Sequence, residues 1–393
     1  MVHMADFSQA LMSDTTARML SLRYCGLGEL PEQVSQFANL EELDVTGNLL
    51  LTLPKWLGNL RHLRILRLDG NQLTALPDWL GDLTQLEELH ADHNQLTALP
   101  KGVGQLSNLH TLSLYNNHLS ALPDSLSRLS GLEAISLGKN RLEALPEWLW
   151  QLTSLESLNI AENRLTTLSE GIGKLTRLHT LDAGHNRLAA LPEALGTLSN
   201  LRHFLYLHDN HLTVIPESLF RGLGKLLYLN LSDNQLTALP ESLGSLSSLI
   251  ELRVYNNQLT TLPESLGSLS NLKEAHLMNN RLEALPASLG KLQQLKALSL
   301  ADNRLMALPA SVGELAALRR LDLRNNCLME LPSTLVRLSR LTHLDLRANR
   351  LVTFPAQLWS LTQLEKVDLR WNKLTGLPGD LEPLEKRGCV VFK

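Results

Sequence analysis

The stretch from Leu249 to Asn271, LIELRVYNNQLTTLPESLGSLSN, contains one unit of a pattern that returns along the whole chain. Its skeleton is L-x-x-L-x-L-x-x-N-x-L-x-x-L-P-x-x-L-G-x-L, with valine in the third leucine slot here. The asparagine slot recurs every 23 residues, and this interval lengthens to 24 on either side of Asn210. A unit of this kind offers about seven apolar positions that it cannot bury alone, whereas stacked units can.

The asparagine slot predicts a structural role. It is filled by Cys25, Asn48, Asn71, Asn94, Asn117, Asn140, Asn163, Asn186, Asn210, Asn234, Asn257, Asn280, Asn303, Asn326, Asn349 and Asn372. The preceding alternation, such as Leu252 with Val254, indicates a short strand with one buried face. An amide side chain at the turn after that strand can bond backbone groups of its own and the neighbouring unit, which would otherwise cost about 1–3 kcal/mol each.

The second half of the unit, Leu262-Pro263-Glu264-Ser265-Leu266-Gly267, predicts a short helical turn on the other side. Proline is suited to the first position of such a turn, and an acidic residue after it complements the positive helix end. The acidic residues in this place are Glu147, Glu193, Glu217, Glu241 and Glu264. We expect them to cap the turns, so this face is predicted to be structural.

Composition limits the functional class. The 393 residues carry a net charge of −4 without a basic run, which disfavours a nucleic-acid or anionic-membrane surface. No apolar stretch approaches the roughly 18 residues of a membrane-spanning helix, and residues 1–16 do not have the pattern of a signal peptide. The three cysteines are Cys25, Cys327 and Cys389. Three separated cysteines favour a reducing, cytoplasmic location over a disulfide-stapled secreted one.

The pattern L-x-x-L-P-x-x-L-G-x-L at this period resembles the intracellular leucine-rich repeat (LRR) proteins, including Ras-group-related scaffolds and the repeat regions of bacterial signalling and effector proteins. The resemblance covers residues 17–393. It implies an α/β horseshoe-shaped solenoid with a concave parallel sheet and convex short helical or 3-10 turns. It also implies protein binding on the concave face, and delivery into a host cell if the chain is an effector.

We divide the chain into three predicted parts. Residues 1–16 form an N-terminal cap, with Phe7, Leu11 and Met12 at helical spacing, and residues 17–386 form a solenoid of sixteen repeats. Residues 387–393 form a C-terminal capping strand in which Val390 and Phe392 take the two buried leucine slots. A polar terminal strand of this kind protects an open core from pairing with another molecule.

The concave face is predicted to present the residue between the two strand leucines, the two residues after them and the residue before them. Aromatic and histidine side chains collect in these places: Tyr24, Tyr115, Tyr206, Tyr228, Tyr255, Phe204, Trp371, His90, His93, His185, His208, His276 and His343. Such residues have high strand propensity, but tyrosine is also enriched at interface hot spots. They are therefore candidates for partner binding.

The strongest candidate site lies where the period lengthens. One extra residue precedes the strand after Leu201, and another lies in Leu219-Phe-Arg-Gly-Leu223 on the convex side. Since parallel strands lie about 4.8 Å apart, Tyr206, Asn230, Arg253 and His276 should form one row. The predicted protein-binding residues are Tyr206, His208, Tyr228, Asn230, Arg253, Tyr255 and His276.

A secondary candidate patch combines Arg67, His90, Asp92, His93 and Tyr115. His90, Asp92 and His93 are residue types that bind metals, but a closed site needs further ligands that the flat face does not supply. No metal, cofactor or catalytic residue is predicted.

Three repeats carry charge in columns, as Asp322-Leu-Arg324, Asp345-Leu-Arg347 and Asp368-Leu-Arg370. Stacked like charges repel, and the adjacent opposite column offsets that repulsion. The columns predict a self-satisfied network, with partner docking through the arginines as the alternative.

The predicted function is a non-enzymatic scaffold that binds a protein on the concave face, as bacterial effectors and signalling adaptors do. The alternative is that the chain is the sensor or recognition region of a larger catalytic assembly. Its kinase, GTPase or ubiquitin-ligase part would then be encoded elsewhere.

Overall fold

The computed structural model describes residues 16–353, 356–375 and 382–392. These fall into two compact units, Met1–Arg187 and Leu188–Lys393. The predicted N-terminal cap, with Phe7, Leu11 and Met12, lies outside the described residues apart from Thr16.

The first unit contains a parallel sheet with one three-residue strand per repeat. Its strands are β1 Met19–Ser21, β2 Glu42–Asp44, β3 Ile65–Arg67, β4 Glu88–His90, β5 Thr111–Ser113, β6 Ala134–Ser136, β7 Ser157–Asn159 and β8 Thr180–Asp182. Each strand pairs with the next in sequence, with equivalent repeat positions in register.

The second unit has the same construction. Its strands are β9 Phe204–Tyr206, β10 Tyr228–Asn230, β11 Glu251–Arg253, β12 Glu274–His276, β13 Ala297–Ser299, β14 Arg320–Asp322, β15 His343–Asp345, β16 Lys366–Asp368 and β17 Val390–Phe392. All neighbours are parallel. A four-residue helix, α1 Glu382–Glu385, precedes β17.

Short 3-10 helices form the other face of each unit. In the first unit they are Glu32–Gln36, Lys55–Asn59, Asp78–Asp82, Lys101–Gln105, Asp124–Arg128, Glu147–Gln151 and Glu170–Lys174. In the second they are Glu193–Thr197, Glu241–Ser245, Glu264–Ser268, Ala287–Lys291, Ala310–Glu314, Ser333–Arg337 and Ala356–Ser360. The predicted α/β repeat solenoid with a parallel sheet and 3-10 turns is thereby confirmed.

The prolines and acidic residues of these turns differ in detail from the prediction. Pro263 has an extended backbone (φ −68°, ψ 148°) and lies directly before the turn rather than at its first helical position. The carboxylate of Glu264 accepts a hydrogen bond from the backbone N–H of Ser288, in the next repeat, at 3.1 Å. The side chain and backbone N–H of Ser288 next to this carboxylate lower the pKa of Glu264. The acidic residues therefore tie neighbouring turns together.

The core consists of the leucine slots. In the repeat that contains Leu252 and Val254, both side chains are completely buried, as are those of Leu249, Leu259 and Leu266. Burial of this kind contributes about 1.5–3 kcal/mol for each large aliphatic side chain. Stacking thus satisfies the apolar positions that one unit cannot bury alone.

The asparagines form the predicted structural ladder. The Oδ1 atom of Asn303 accepts the backbone N–H of Leu282 in the preceding repeat at 3.0 Å. Its Nδ2 group donates to the carbonyl oxygens of Leu277 (3.1 Å), Leu300 (3.0 Å) and Ala301 (3.2 Å). Each ladder asparagine thus satisfies buried backbone groups of two repeats at once.

The residue immediately before each ladder position has a left-handed backbone. Its φ is 54° at His93, 53° at Glu162, 52° at Ala348 and 61° at Trp371. This conformation suits glycine and asparagine, which fill several of these slots. The strand turns away from the sheet at this point in every repeat, so side chains such as His93 and Trp371 are held in a fixed direction.

The two extra residues have separate structural consequences. In ordinary repeats two successive N–H groups share one carbonyl, as Ile250 and Glu251 do with Leu227. Before β9 the extra residue makes two separate carbonyls available, so the N–H of Leu227 donates to the carbonyl of Arg202 at 2.9 Å and that of Tyr228 to the carbonyl of His203 at 3.1 Å. The local arrangement is that of a bulge, a feature that re-aims side chains.

The second extra residue lies in a hydrogen-bonded turn that takes the place of the 3-10 helix in its repeat. Hydrogen bonds run from Leu219 to Pro216, from Arg221 to Ser218 and from Leu223 to Phe220. This turn places Phe220 in the core, where its side chain is completely buried. This insertion therefore adds packing rather than a surface feature.

The register predicted for the C-terminal strand is wrong by one residue. Val391 pairs with Val367, while Val390 pairs with Lys366 and is 51% exposed. The chain reaches β17 through α1 and a glycine with positive φ, Gly388 (φ 87°), which makes the last interval one residue longer. A one-residue shift exchanges the faces of a strand, so Val390 and Phe392 do not take the buried slots.

Candidate functional site

The open face of the sheet is defined here as the side opposite the leucine core. Along β11, Leu252 and Val254 are buried, Arg253 is exposed, and Glu251 and Tyr255 are half-buried. The strand positions that were predicted to face a partner are therefore the ones whose side chains reach the open face of the sheet. Their side chains stand on a regular hydrogen-bonded scaffold, which limits their freedom.

The predicted row of the main candidate site is present in the second unit. Tyr206 pairs with Asn230, Asn230 with Arg253, and Arg253 with His276, on four successive strands. His208 and Tyr255 lie on the C-terminal side of this row, each two residues beyond a row residue in its own strand.

An aromatic ladder runs along β9. The rings of Phe204 and Tyr206 are stacked with their centroids 4.6 Å apart and an interplanar angle of 24°. The ring of His208 meets that of Tyr206 edge-on at 6.0 Å and 83°. Such ring pairs contribute about 0.5–1.5 kcal/mol beyond their burial, so the ladder is a preformed apolar surface.

Asn230 does not present its amide to a partner. It is 7% exposed, and its Oδ1 atom accepts bonds from the hydroxyl (2.6 Å) and backbone N–H (3.1 Å) of Ser232, which is itself completely buried. Sequence alternation identified the face correctly but could not show that larger neighbours cover a short side chain. The remaining residues form what we term the aromatic patch: Tyr206, His208, Tyr228, Arg253, Tyr255 and His276.

Charged groups border the aromatic patch. The Arg253 guanidinium donates to Glu251 at 2.5 Å, and the His276 Nε2 atom lies 3.3 Å from Glu274 and 3.7 Å from Glu251. Tyr228 is 37% exposed at the centre of this arrangement. The patch thus combines one exposed and several half-buried rings with charged groups that already have partners, so the accessible ring surface is the part left for binding.

One group of side chains in the described part of the chain has the composition of a metal site. Glu251, Glu274 and His276 each place a ligand-type atom within 4.8 Å of the others. The Arg253 cation already pairs with Glu251, and a metal ion would have to compete with it. The arrangement is explained by the ion pairs alone.

The secondary candidate patch lies in the first unit and is largely satisfied internally. Arg67 lies 3.4 Å from Glu88, and His90 lies 3.0 Å from the same carboxylate. Asp92 accepts the Ser113 hydroxyl at 2.7 Å and the backbone N–H of Tyr115 at 2.6 Å. The ring of His93 packs edge-on against that of Tyr115 at 5.5 Å.

Tyr115 is committed to a contact two repeats away. Its hydroxyl donates to Glu162 at 2.7 Å, and this bond, with burial, raises the pKa of Tyr115 to about 12. The ring passes over Gly138, where an added Cβ would lie 2.9 Å from it. Only a residue without a side chain permits this crossing, so Tyr115 braces the face of its own unit.

The aspartate and arginine columns pair as predicted. Arg347 lies 2.6 Å from Asp345 and 3.4 Å from Asp368, and Arg370 lies 2.6 Å from Asp368. Arg324 is 3.7 Å from Asp322. The two columns therefore pair with each other across three repeats, closely at Asp345 and Asp368 and more loosely at Asp322.

A groove that was not predicted lies on the open face between β12 and β16. Its volume is about 300 Å³. Its floor includes Ala297 and Ser299 of β13, and its sides include His276, Arg320 and Lys366. The sequence signal was available, because Ala297-Leu-Ser299 puts small residues at both outward positions of one strand.

Two further properties bear on function. No helix within the described residues has the length and apolar character that crossing a bilayer requires. Cys25 is exposed, Cys327 half-buried and Cys389 buried, and all three are free thiols.

Family models match much of the chain. A leucine-rich repeat region model matches residues 9–98 and 285–376, and a leucine rich repeat model matches residues 84–142, 107–165 and 203–259. Among curated protein sequences, none gives a significant match.

Several solved structures share the architecture. An LRR protein of Leptospira interrogans is 33% identical with a TM-score of 0.81, and the alignment covers 98% of both chains. The Drosophila Toll–Spatzle complex gives 25% identity and a TM-score of 0.78, covering 91% of this chain and 51% of the other.

The Arabidopsis receptor kinase HAESA ectodomain, solved with an IDA peptide hormone ligand, is 28% identical with a TM-score of 0.67. That alignment covers 90% of this chain and 66% of the other. The repeat architecture, the family models and the full-length similarity to the Leptospira protein agree: the chain belongs to the leucine-rich repeat family.

Proposed function

We propose that this protein is a non-enzymatic scaffold that binds a protein partner on the open face of its sheet, through the aromatic patch. The observation that carries the proposal is the ring ladder of Phe204, Tyr206 and His208 on β9, with Tyr228 exposed on the adjacent strand. These rings add nothing to the leucine core, which lies on the other side of the sheet.

The physical basis is that of an interface hot spot. Tyrosine supplies a large contact area with few rotatable bonds, so little entropy is lost when a partner immobilises it. The strands that hold the rings are fixed by the parallel ladder and the asparagines. A preformed surface of this kind avoids much of the ordering cost of association.

The similar structures support protein binding. The Toll structure is a complex with Spatzle, and the HAESA ectodomain was solved with a peptide hormone. Leucine-rich repeat families are in general non-catalytic, which supports a binding role for this chain rather than an enzymatic one.

We further propose that the protein acts in a reducing compartment, either the cytoplasm or a host cell, as a bacterial effector or signalling adaptor. The free thiols support the reducing compartment, and the similarity to a protein of Leptospira interrogans supports a bacterial source. The net charge of −4 supports a protein partner rather than a nucleic acid.

The test is capture of partners from the native cell by the wild-type protein and by Tyr206→Ala and Tyr255→Ala variants, with quantitative mass spectrometry. We expect each substitution to lower specific capture about tenfold or more. Loss of a hot-spot ring costs about 1.4–2 kcal/mol or more of binding free energy, which corresponds to that change in affinity. The melting temperature should fall by no more than a few degrees, because neither residue belongs to the leucine core and Tyr206→Ala removes only its ring contacts with Phe204 and His208.

The matched control is Tyr24→Ala, which removes a tyrosine that is 72% exposed and lies outside the aromatic patch. Capture by this variant should equal that of the wild type. Capture that is unchanged in all three variants would show that the patch is not the binding surface.

A further inference from the structure

A column of cations runs along the N-terminal edge of the sheet in the second unit. Lys273, Lys296 and Arg319 occupy the position just before β12, β13 and β14. Backbone hydrogen bonds stack them directly, because Lys296 donates to the carbonyl of Lys273 at 2.7 Å and Arg319 to that of Lys296 at 2.9 Å. Three positive side chains therefore leave successive strands at the same level.

The equivalent column of the first unit has opposite charges side by side. Arg18 pairs with Glu41 at 2.8 Å, and Arg64 pairs with Glu87 at 2.7 Å. His110, on the next strand, lies 3.7 Å from Glu87. The same architectural position thus pairs opposite charges in the first unit and is positive on three successive strands, β12 to β14, in the second.

Arg320 extends the positive edge onto the face itself. We define the cationic edge as Lys273, Lys296, Arg319 and Arg320. Within the described residues no carboxylate forms an ion pair with any of these four, and all except the half-buried Lys273 are exposed. Neighbouring strands lie about 4.8 Å apart, so the like charges repel one another unless an anion lies between them.

The groove between β12 and β16 opens beside this edge. Arg320 belongs to both, and Lys366 adds a second exposed cation on the same wall. Of the aspartates that also line the groove, Asp345 and Asp368 pair with Arg347 and Arg370, while Asp322 lies 3.7 Å from Arg324. The small floor residues Ala297 and Ser299 leave room for a side chain from a bound segment.

We propose that the cationic edge and the adjoining groove bind an extended acidic segment of a partner protein. This inference rests on the proposed function and names the chemistry of the partner. Cations on alternate strands lie about 9.6 Å apart, and three residues of an extended peptide span about 10 Å. Carboxylates three residues apart therefore match the spacing of Lys273 and Arg319, the two edge cations on alternate strands.

Charge also argues against a nucleic acid here. The backbone of a nucleic acid carries a negative charge on every nucleotide. One of these phosphates would therefore lie near Glu274, an exposed carboxylate that lines the groove. A peptide with carboxylates only at every third residue can place neutral side chains there. Because the net charge of the whole protein is negative, the attraction of an acidic segment is confined to this edge.

The test measures binding of a fluorescein-labelled peptide with glutamate at every third position, by fluorescence anisotropy with the full chain. Lys296→Glu with Arg319→Glu reverses two exposed cations of the edge. The matched control, Lys55→Glu with Lys101→Glu, makes the same net charge change on the 3-10 face of the first unit. Thermal melts of both double variants confirm that they are folded.

We expect the wild-type protein to bind the peptide saturably and the edge variant to bind it about tenfold more weakly or worse. The control variant should weaken binding less than about twofold, because exposed charges more than about 10 Å away are screened at 0.1 M salt. The same peptide with glutamine in place of glutamate should not bind. Equal binding of a scrambled peptide with clustered glutamates, or of a single-stranded oligonucleotide of equal charge, would show an unspecific polyanion surface and overturn the proposal. Absence of saturable binding would overturn it as well.

Partner capture separates this inference from the proposed function. If capture depends on Tyr206 and Tyr255 but is unaffected by the Lys296→Glu, Arg319→Glu variant, the acidic-segment inference fails and the scaffold function stands. If the glutamate peptide binds at the edge while capture is insensitive to the two tyrosines, the aromatic patch fails and the edge stands.

Discussion

Asp322 and Asp368 occupy the same column of the open face but have opposite electrostatic environments. Burial raises the pKa of Asp322, because its bond from the Arg324 N–H and the arginine 3.7 Å away compensate only in part. Burial also opposes ionisation of Asp368, but hydrogen bonds from the side chain and N–H of Arg370, with the charges of Arg370 and Arg347, outweigh it and lower the pKa. One column thus contains a carboxylate whose charge is poorly compensated, Asp322, and one whose charge is well compensated, Asp368.

The two aspartates should therefore respond in opposite ways to neutralisation. A raised pKa means that Asp322 stabilises the fold only while protonated, and this contribution is lost as pH rises through its folded pKa. A lowered pKa means that Asp368 stabilises the fold above its unfolded pKa, and this is lost as pH falls. At pH 7 we expect Asp322→Asn to raise the free energy of unfolding by up to about 1 kcal/mol and Asp368→Asn to lower it by about 1–3 kcal/mol.

Denaturant unfolding at pH 7 and at about pH 3 checks this prediction. The Asp322 difference should shrink once its carboxylate is protonated, and the Asp368 difference should begin to fall as the pH drops below the pKa of an aspartate in the unfolded chain. Equal destabilisation by both substitutions at both pH values would contradict it.

At the level of elements, the 3-10 turns of adjacent repeats pack through complementary small residues. A Cβ added to Gly267 would lie 2.6 Å from the Cβ of Ser288 and would also overlap its carbonyl oxygen. Where the glycine slot instead holds the buried Trp150, the facing position of the next repeat is Gly171, whose added Cβ would lie 2.5 Å from the indole. The L-G part of the repeat is therefore a requirement for close contact between turns.

Gly267→Ala should lower the free energy of unfolding by about 1–3 kcal/mol, the usual cost of overpacking a close contact. Gly28→Ala is the control, since no heavy atom lies within 4 Å of its added Cβ, and it should be neutral or slightly stabilising. Adding Ser288→Gly to Gly267→Ala should restore only part of the loss, because the backbone contact remains. Equal effects of the two alanine substitutions in denaturant unfolding would refute this account.

For the molecule as a whole, the repeat predicted the strands, the 3-10 turns, the leucine core and the asparagine ladder, because each depends on contacts between equivalent positions. Non-equivalent contacts were not predictable in the same way. Asn230 is buried because of its particular neighbours, and Tyr115 reaches Glu162 only because Gly138 lies between them. The register of β17 was wrong because α1 and Gly388 change the spacing where the repeat ends.

The left-handed column before the asparagines was also missed, although its composition is visible in the sequence. Glycine, asparagine and aspartate fill most of these slots, but Glu162, Ala348 and Trp371 conceal the pattern. The surrounding hydrogen bonds impose this conformation on residues that disfavour it, as tertiary contacts can override local preference. Groove and cationic edge, by contrast, arise from departures from the repeat, which only the stacked arrangement brings together.

Stability in a stacked array is approximately a sum of repeat terms and nearest-neighbour contacts, so a defect should act locally. Asn303→Ala leaves the N–H of Leu282 and the carbonyls of Leu277, Leu300 and Ala301 without their amide partner. Asn94→Ala does the same in the first unit, to the N–H of Leu73 and three carbonyls. Each should cost about 2–4 kcal/mol, from several buried polar groups that are only partly rehydrated.

Hydrogen exchange measured by mass spectrometry shows which repeats lose stability in each variant. Asn303→Ala should accelerate exchange in the repeats on either side of it while peptides within residues 41–113 keep their wild-type protection, and Asn94→Ala should give the reverse pattern. Faster exchange along the whole chain in either variant would instead mean that unfolding is globally cooperative. The coupling free energy between neighbouring repeats would then exceed the stability lost at the substituted asparagine. Local acceleration means that the aromatic patch and the cationic edge retain their geometry when a distant repeat is damaged, because each depends only on the strands beside it.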